Sequence, residues 1–132
     1  MEVNQPSLRV ITSMSDIMEH TCSLIVGGSK AVWRVDTLWN YAKDIEIELK
    51  SLSDFDLAVD CWFQDVQAPT LLNVAKHTQR INNADITFPI LLTPDGDVLD
   101  GFHRLAKAWI MSLENIPTIQ LRNLPPPDYL IK

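Results

Sequence analysis

The sequence predicts a mixed α/β domain in which short strands and helices alternate. Three observations carry that expectation. Residues 87–100, "TFPILLTPDGDVLD", place two apolar runs on either side of a Pro-Asp-Gly turn, the pattern of a β-hairpin. Two stretches, beginning at Pro69 and at Gly101, carry apolar residues at helical spacing. The chain has 132 residues, 46% hydrophobic and 21% charged, enough for one ordinary globular core without staples.

In chain order, residues 1–28 read as an N-terminal arm or appendage. Within them Ser15-Asp16 is placed to cap a short helix, and "TCSLIV" is strand-like. Gly27-Gly28-Ser29 reads as a turn or linker, so the domain proper is expected over 29–132. "AVWRV" (31–35) is β-like, and Asp36 is a candidate N-cap for "TLWNYAKD". "IEIEL" (45–49) alternates strictly, which predicts a half-buried strand with Ile45, Ile47 and Leu49 inward. "VDCWF" (59–63) reads as another extended piece. Pro69 suits the first position of a helix whose inner face is Leu71, Val74, Ala75, Thr78 and Ile81. His77 and Arg80 share a different face of that helix. After the hairpin, a helix from Gly101 to about Leu113 is expected to bury Leu105, Ala108 and Trp109. "IPTIQL" (116–121) is a last strand, and "LPPPDYLIK" is a tail that docks but does not continue a helix. The four tryptophans are expected in the core.

Charge and cysteine content narrow the function classes. The net charge is -6, and residues 36–65 hold the whole excess, eight acids against two bases. Backbone-gripping DNA binding needs a basic face, so autonomous nucleic-acid binding is not expected. Cys22 and Cys61 have no metal-ligand spacing, which suits a reducing cytoplasm. "CSLIV" is too short to span a bilayer, and no membrane partner is expected. The acidic stretch reads as a solvated face.

The stretch with chemistry is "VLDGFHRLAKAW" (98–109), where a strand turns into a helix. A helix start presents unpaired N–H groups and about half a positive charge. Gly101 lets an anion approach the main chain. Arg104 offers a fork of donors matching phosphate oxygens, and His103 a further donor or a proton carrier. Lys107 shares a helical face with His103. Read this way, the corner binds phosphate. A plain structural reading also stands, with Asp100 as helix cap, Gly101 easing the turn, and His103 and Arg104 paired with surface acids.

The segment "PILLTPDGDVLDGFHRLAKAWIMSLENIPTIQL" resembles the core of the ParB/sulfiredoxin superfamily, and "VWRVDTLWNYAKD" with "DCWF" resembles small stand-alone bacterial ParB-like proteins. The resemblance covers about residues 32–122 and is sharp over 89–121. It implies a single compact α/β (α+β) domain whose small mixed sheet has a hairpin leading into the phosphate-site helix. Chromosome-partitioning ParB proteins carry Gly-Glu-Arg-Arg there, bind CTP and continue into a helix-turn-helix. Here His103 breaks that pattern, and partition activity is not implied. Sulfiredoxins place their working cysteine where this chain has Phe102, so sulfinic-acid repair is not implied either. Free amino-acid kinases carry Asp-Gly-His-His-Arg, which "DGFHR" matches at four of five positions.

By that similarity Gly101, His103 and Arg104 hold phosphate, while Asp100 and His103 are the catalytic candidates. Asp100 would position Mg²⁺ brought with ATP, ADP or CTP. Arg80, His77, Lys107 and Glu46 are possible additional site residues. The expected function is a cytoplasmic nucleotide- or phosphate-binding protein, with phosphotransfer to a small molecule or NTP hydrolysis as its catalytic form. The alternative is a non-catalytic module that senses a nucleotide or binds a protein. A DNA-associated nuclease is the least favoured class. The ligand is a nucleotide or phosphorylated small molecule, and a homodimer is the oligomer considered.

Overall fold

A computed structural model describes residues 9–11, 21–63 and 67–131. The short helix expected after Ser15-Asp16 lies outside the described residues. Three helices and eight strands are present among the described residues, in two four-stranded sheets where the sequence suggests one. The mixed α/β class is therefore correct. The chain divides into two compact units, one drawn from Met1–Asp44 and Leu124–Lys132, the other from Ile45–Asn123. No helix among the described residues is long and apolar enough to cross a membrane.

The first unit is built on a hairpin. Strand β2 (Thr21–Val26) pairs antiparallel with β3 (Ser29–Arg34) through all six residues, so the expected boundary after residue 28 falls inside this hairpin. Gly27 and Gly28 make its two-residue turn with φ of 58° and 82°. Positive φ at both central positions is the turn whose twist matches paired strands, and glycine adopts it without strain. Helix α1 (Val35–Ala42) begins one residue before the expected cap, and Asp36 Oδ1 accepts from the Thr37 amide at 2.9 Å within the first turn. The proline-rich tail comes back to this unit. Trp33 Nε1 donates to the Pro125 carbonyl at 2.8 Å, and the Asp128 carboxylate accepts from the Arg34 amide at 2.8 Å. These bonds deliver the last strand (Tyr129–Ile131) between β3 and β1 (Arg9–Ile11).

The second unit holds the expected hairpin and the helix that follows it. Strands β5 (Ile90–Leu92) and β6 (Val98–Asp100) pair antiparallel, and α3 (Phe102–Ile110) leads to β7 (Asn115–Gln120), which lies parallel to β5. The turn closes as predicted: Thr93 O accepts from the Gly96 amide at 2.9 Å and Thr93 Oγ1 from the Asp97 amide at 3.1 Å. Gly96 has φ of 92°, the region Pro94-Asp95 leads into. The core gathers Leu52, Ile90, Leu92, Leu105, Ala108 and Ile116, with Phe55, Val98 and Leu113 packed against it.

Three expectations, two of them about burial, are corrected here. The alternating strand at 45–49 is displaced: β4 is Glu48–Ser51, and Ile47 and Leu49 are 59% and 70% exposed. This strand sits at the sheet edge, paired only with β7, and the chain enters the core through Leu52 in the short 3₁₀ turn (Leu52–Asp54) that follows. Period alone gives a strand, not the depth at which an edge strand lies. Trp109 is 63% exposed, because α3 buries Leu105 and Ala108 one turn apart and Trp109 lies past that stripe. The stretch 59–63 contains no strand; Asp60 Oδ1 accepts from the Phe63 amide at 2.9 Å and folds it into a turn.

The junction from β6 to α3 rests on Gly101. Its φ is 114°, and a Cβ there would stand 2.4 Å from Ile90 Cγ2 and 3.0 Å from Arg104 Nη2. Gly101→Ala therefore meets both backbone strain and overpacking, an expected loss of about 2–6 kcal/mol. A urea denaturation midpoint equal to the native one would contradict this.

Candidate functional site

Gly101, His103 and Arg104, three of the eight predicted site residues, lie at the start of α3, and Asp100 ends β6 just before it. Gly101 is the N-cap, and with no side chain it supplies no capping bond. The amides that open α3 therefore lack a side-chain acceptor from the cap residue. The space beside Gly101 is already taken on one side. Ile90 and the Arg104 guanidinium lie against its Cα, so the residue's small size serves packing first.

Arg104 folds back over the turn. Its Nη2 stands 3.6 Å from Asp100 Oδ2, a loose ion pair beyond hydrogen-bond distance. Its guanidinium carbon lies 5.1 Å from the centre of the Phe88 ring, a cation–π contact. Two of its nitrogens, Nε and Nη2, are buried and have no hydrogen-bond partner among the described residues. An unpaired buried donor costs about 1–3 kcal/mol, more when charged. Such a donor pair is the feature an anion would satisfy.

His103 turns its Nε2 toward α2, to a partner that the sequence reading underweighted. Its Nε2 lies 2.9 Å from His77 Nδ1, and His77 Nε2 lies 2.9 Å from Gln67 Oε1. Trp62 stacks on both imidazoles, with centroids at 4.6 and 4.7 Å and planes within 14°. Phe63 closes the edge of His77 at 5.4 Å. His77, expected on an outer face, is only 6% exposed, while Leu71 and Val74, expected inside, are 89% and 44% exposed. The helix α2 (Leu71–Asn83) is thus turned so that histidine, not leucine, meets α3. Its start is one residue beyond Pro69-Thr70: Thr70 is the cap, and its hydroxyl accepts from the Asn73 amide at 3.2 Å.

The electrostatics follow from this packing. Burial, followed by the neighbouring His77 and Arg80, pushes the His103 pKa down to about 4, against a smaller opposing pull from Asp100. Burial and Arg80 push His77 in the same direction. At neutral pH the pair is therefore uncharged. The sequence reading offered His103 as a further donor or a proton carrier, and these surroundings make it a neutral ring at neutral pH.

The remaining candidates divide. Lys107 Nζ donates to the carbonyls of Asn82 and Ala84 at 2.9 and 2.8 Å, so it caps the C-terminal end of α2 instead of facing an anion. Arg80 is close enough to lower both histidines. Glu46 lies in the exposed stretch before β4, at one edge of the sheet, whereas the corner follows β6 at the other. Asp100 faces Arg104, and no group of three or more His, Cys, Asp or Glu among the described residues could hold a metal. Sequence reasoning missed Gln67 and Phe88 altogether. A histidine in mid-helix 26 residues before another, with tryptophan and phenylalanine upstream, was the available signal. The sequence matches no protein-family model, and neither curated proteins nor solved structures give a match.

The sign of the pH dependence follows. Above pH 6.5 His103 is neutral folded and unfolded; between 6.5 and about 4 the unfolded chain binds the proton first. Stability is thus expected to fall across that window, and to fall less in His103→Gln. Equal slopes of the urea midpoint against pH in the two proteins would contradict it.

Proposed function

We propose that the protein binds the phosphate of a nucleotide or of a phosphorylated small molecule at the start of α3. The observation that carries this reading is the Arg104 guanidinium, with Nε and Nη2 buried and without a hydrogen-bond partner among the described residues, beside a helix N-terminus with no side-chain cap. Amides at a helix start and a guanidinium fork are complementary to phosphate oxygens. The order of strand, turn, strand, helix and returning parallel strand over residues 90–120 supports likeness to the ParB/sulfiredoxin superfamily.

In this reading Arg104 is the principal anion contact, the α3 amides assist it, and Arg80 adds long-range positive potential. A divalent cation, where one takes part, arrives on the nucleotide's own phosphates. The catalytic form is phosphotransfer to a small molecule or NTP hydrolysis. One observation favours the sensing form: Asp100, the acid expected to act, stands 3.6 Å from Arg104 with its charge partly balanced.

Calorimetric titration with ATP, ADP, CTP and inorganic phosphate, with and without Mg²⁺, tests the reading, with product analysis alongside. Arg104→Ala is expected to weaken phosphate binding by at least about tenfold, the loss of one charge-assisted contact. Lys107→Ala is expected to leave affinity unchanged because that ammonium is engaged with α2. No binding of any of these anions, or equal loss in both variants, contradicts the reading. Turnover abolished in Arg104→Ala identifies the catalytic form, and binding without turnover the sensing form.

A further inference from the structure

We propose that Gln67, His77 and His103 form a hydrogen-bonded chain that holds His103 in one tautomer, with Nδ1 as an unprotonated acceptor at the head of α3. The corner would then take an anion that also brings a hydroxyl hydrogen: a protonated phosphate, or a phosphate ester with a free hydroxyl beside it. The ligand class rests on the phosphate reading above; the ring assignment does not.

The chain is directional because its far end is fixed. Gln67 Oε1 is an amide oxygen and only accepts, so His77 Nε2, 2.9 Å away, carries the proton and donates. A neutral imidazole has one N–H, which leaves His77 Nδ1 bare. His103 Nε2, 2.9 Å from it, is then the donor. His103 has spent its one N–H, and its Nδ1 keeps a lone pair with no hydrogen bond among the described residues. The arrangement is rigid as well as directional. Trp62 lies nearly parallel to both rings, and the two imidazoles are within 13° of each other. The charged groups around the pair are Arg80 from α2, Asp100 from β6 and Arg104 beside His103 on α3. Two of these three are cations, which keeps the chain neutral.

In this proposal the head of α3 offers one ligand two unlike contacts from adjacent residues: donors on Arg104 and an acceptor on His103. Sulfate fills the first and offers nothing to the second. Phosphate at neutral pH keeps at least one hydrogen and fills both. His77 and Gln67 touch no ligand in this scheme and act as positioning residues.

The test uses ¹⁵N NMR of the labelled, full-length native protein. At neutral pH His103 is expected to show an unprotonated Nδ1 and a protonated Nε2. Gln67→Glu keeps the acceptor but adds a charge beside His77, and should raise titration of the histidine pair by about one to three pH units. The opposite tautomer at His103, or a Gln67→Glu protein whose pair titrates as in the native, overturns the chain. For the ligand class, inorganic phosphate is expected to bind the native protein at least about tenfold more tightly than sulfate, the consequence of an acceptor left unpaired. Equal affinity overturns the ligand class alone. Failure to bind either anion overturns the phosphate reading together with it, while the NMR result on the rings stands by itself.

Discussion

The turn at Gly101 is the constraint on which the second unit depends. A strand must stop, reverse its backbone hand for one residue and begin a helix, with the Ile90 side chain of a neighbouring strand pressed on that residue. Only glycine satisfies both demands: φ is 114°, and a Cβ would overlap Ile90. Once this turn is fixed, the orientation of α3 is fixed. Leu105 and Ala108 then seat against Ile90, Leu92 and Ile116. The same turn sets Arg104 over Asp100 and Phe88, and His103 against α2. Fold and candidate site thus share one cause.

From that cause the head of α3 acquires two electrically different halves. The Arg104 half is cationic and under-satisfied, with two buried nitrogens that have no hydrogen-bond partner among the described residues. The His103 half is neutral and fully engaged along Nε2. Burial removes the water that would stabilise a charged ring, and Arg80 near both imidazoles, with Arg104 near His103, adds to the effect. The usual picture of histidine and arginine as two like contacts on an anion does not apply.

The hairpin, the Pro94-Gly96 turn, the helix at residue 102 and the returning strand were legible because each has a local cause in turn chemistry or spacing. The location of the corner was legible for the same reason. What α2 buries was not. Leu71 and Val74 form an apolar stripe by spacing, yet His77 is the residue that packs inward. Its burial depends on Gln67, Trp62 and His103, contacts up to 26 residues away in the chain, and no periodicity encodes those. Lys107 was misread for a similar reason: its helical face was correct, but the carbonyl end of α2 occupies the place assigned to an anion. The edge strand near residue 48 shows the limit of alternation, which gives a pleat and no depth.

The central claim is that the Arg104 guanidinium is held in readiness for a phosphoryl oxygen. A crystal structure determined with inorganic phosphate tests it most directly. The account predicts a phosphate within hydrogen-bond distance of Arg104 Nε or Nη2 and of the amides that open α3. Phosphate bound elsewhere, with Arg104 unchanged against Asp100 and Phe88 and its two nitrogens still unbonded, would contradict it.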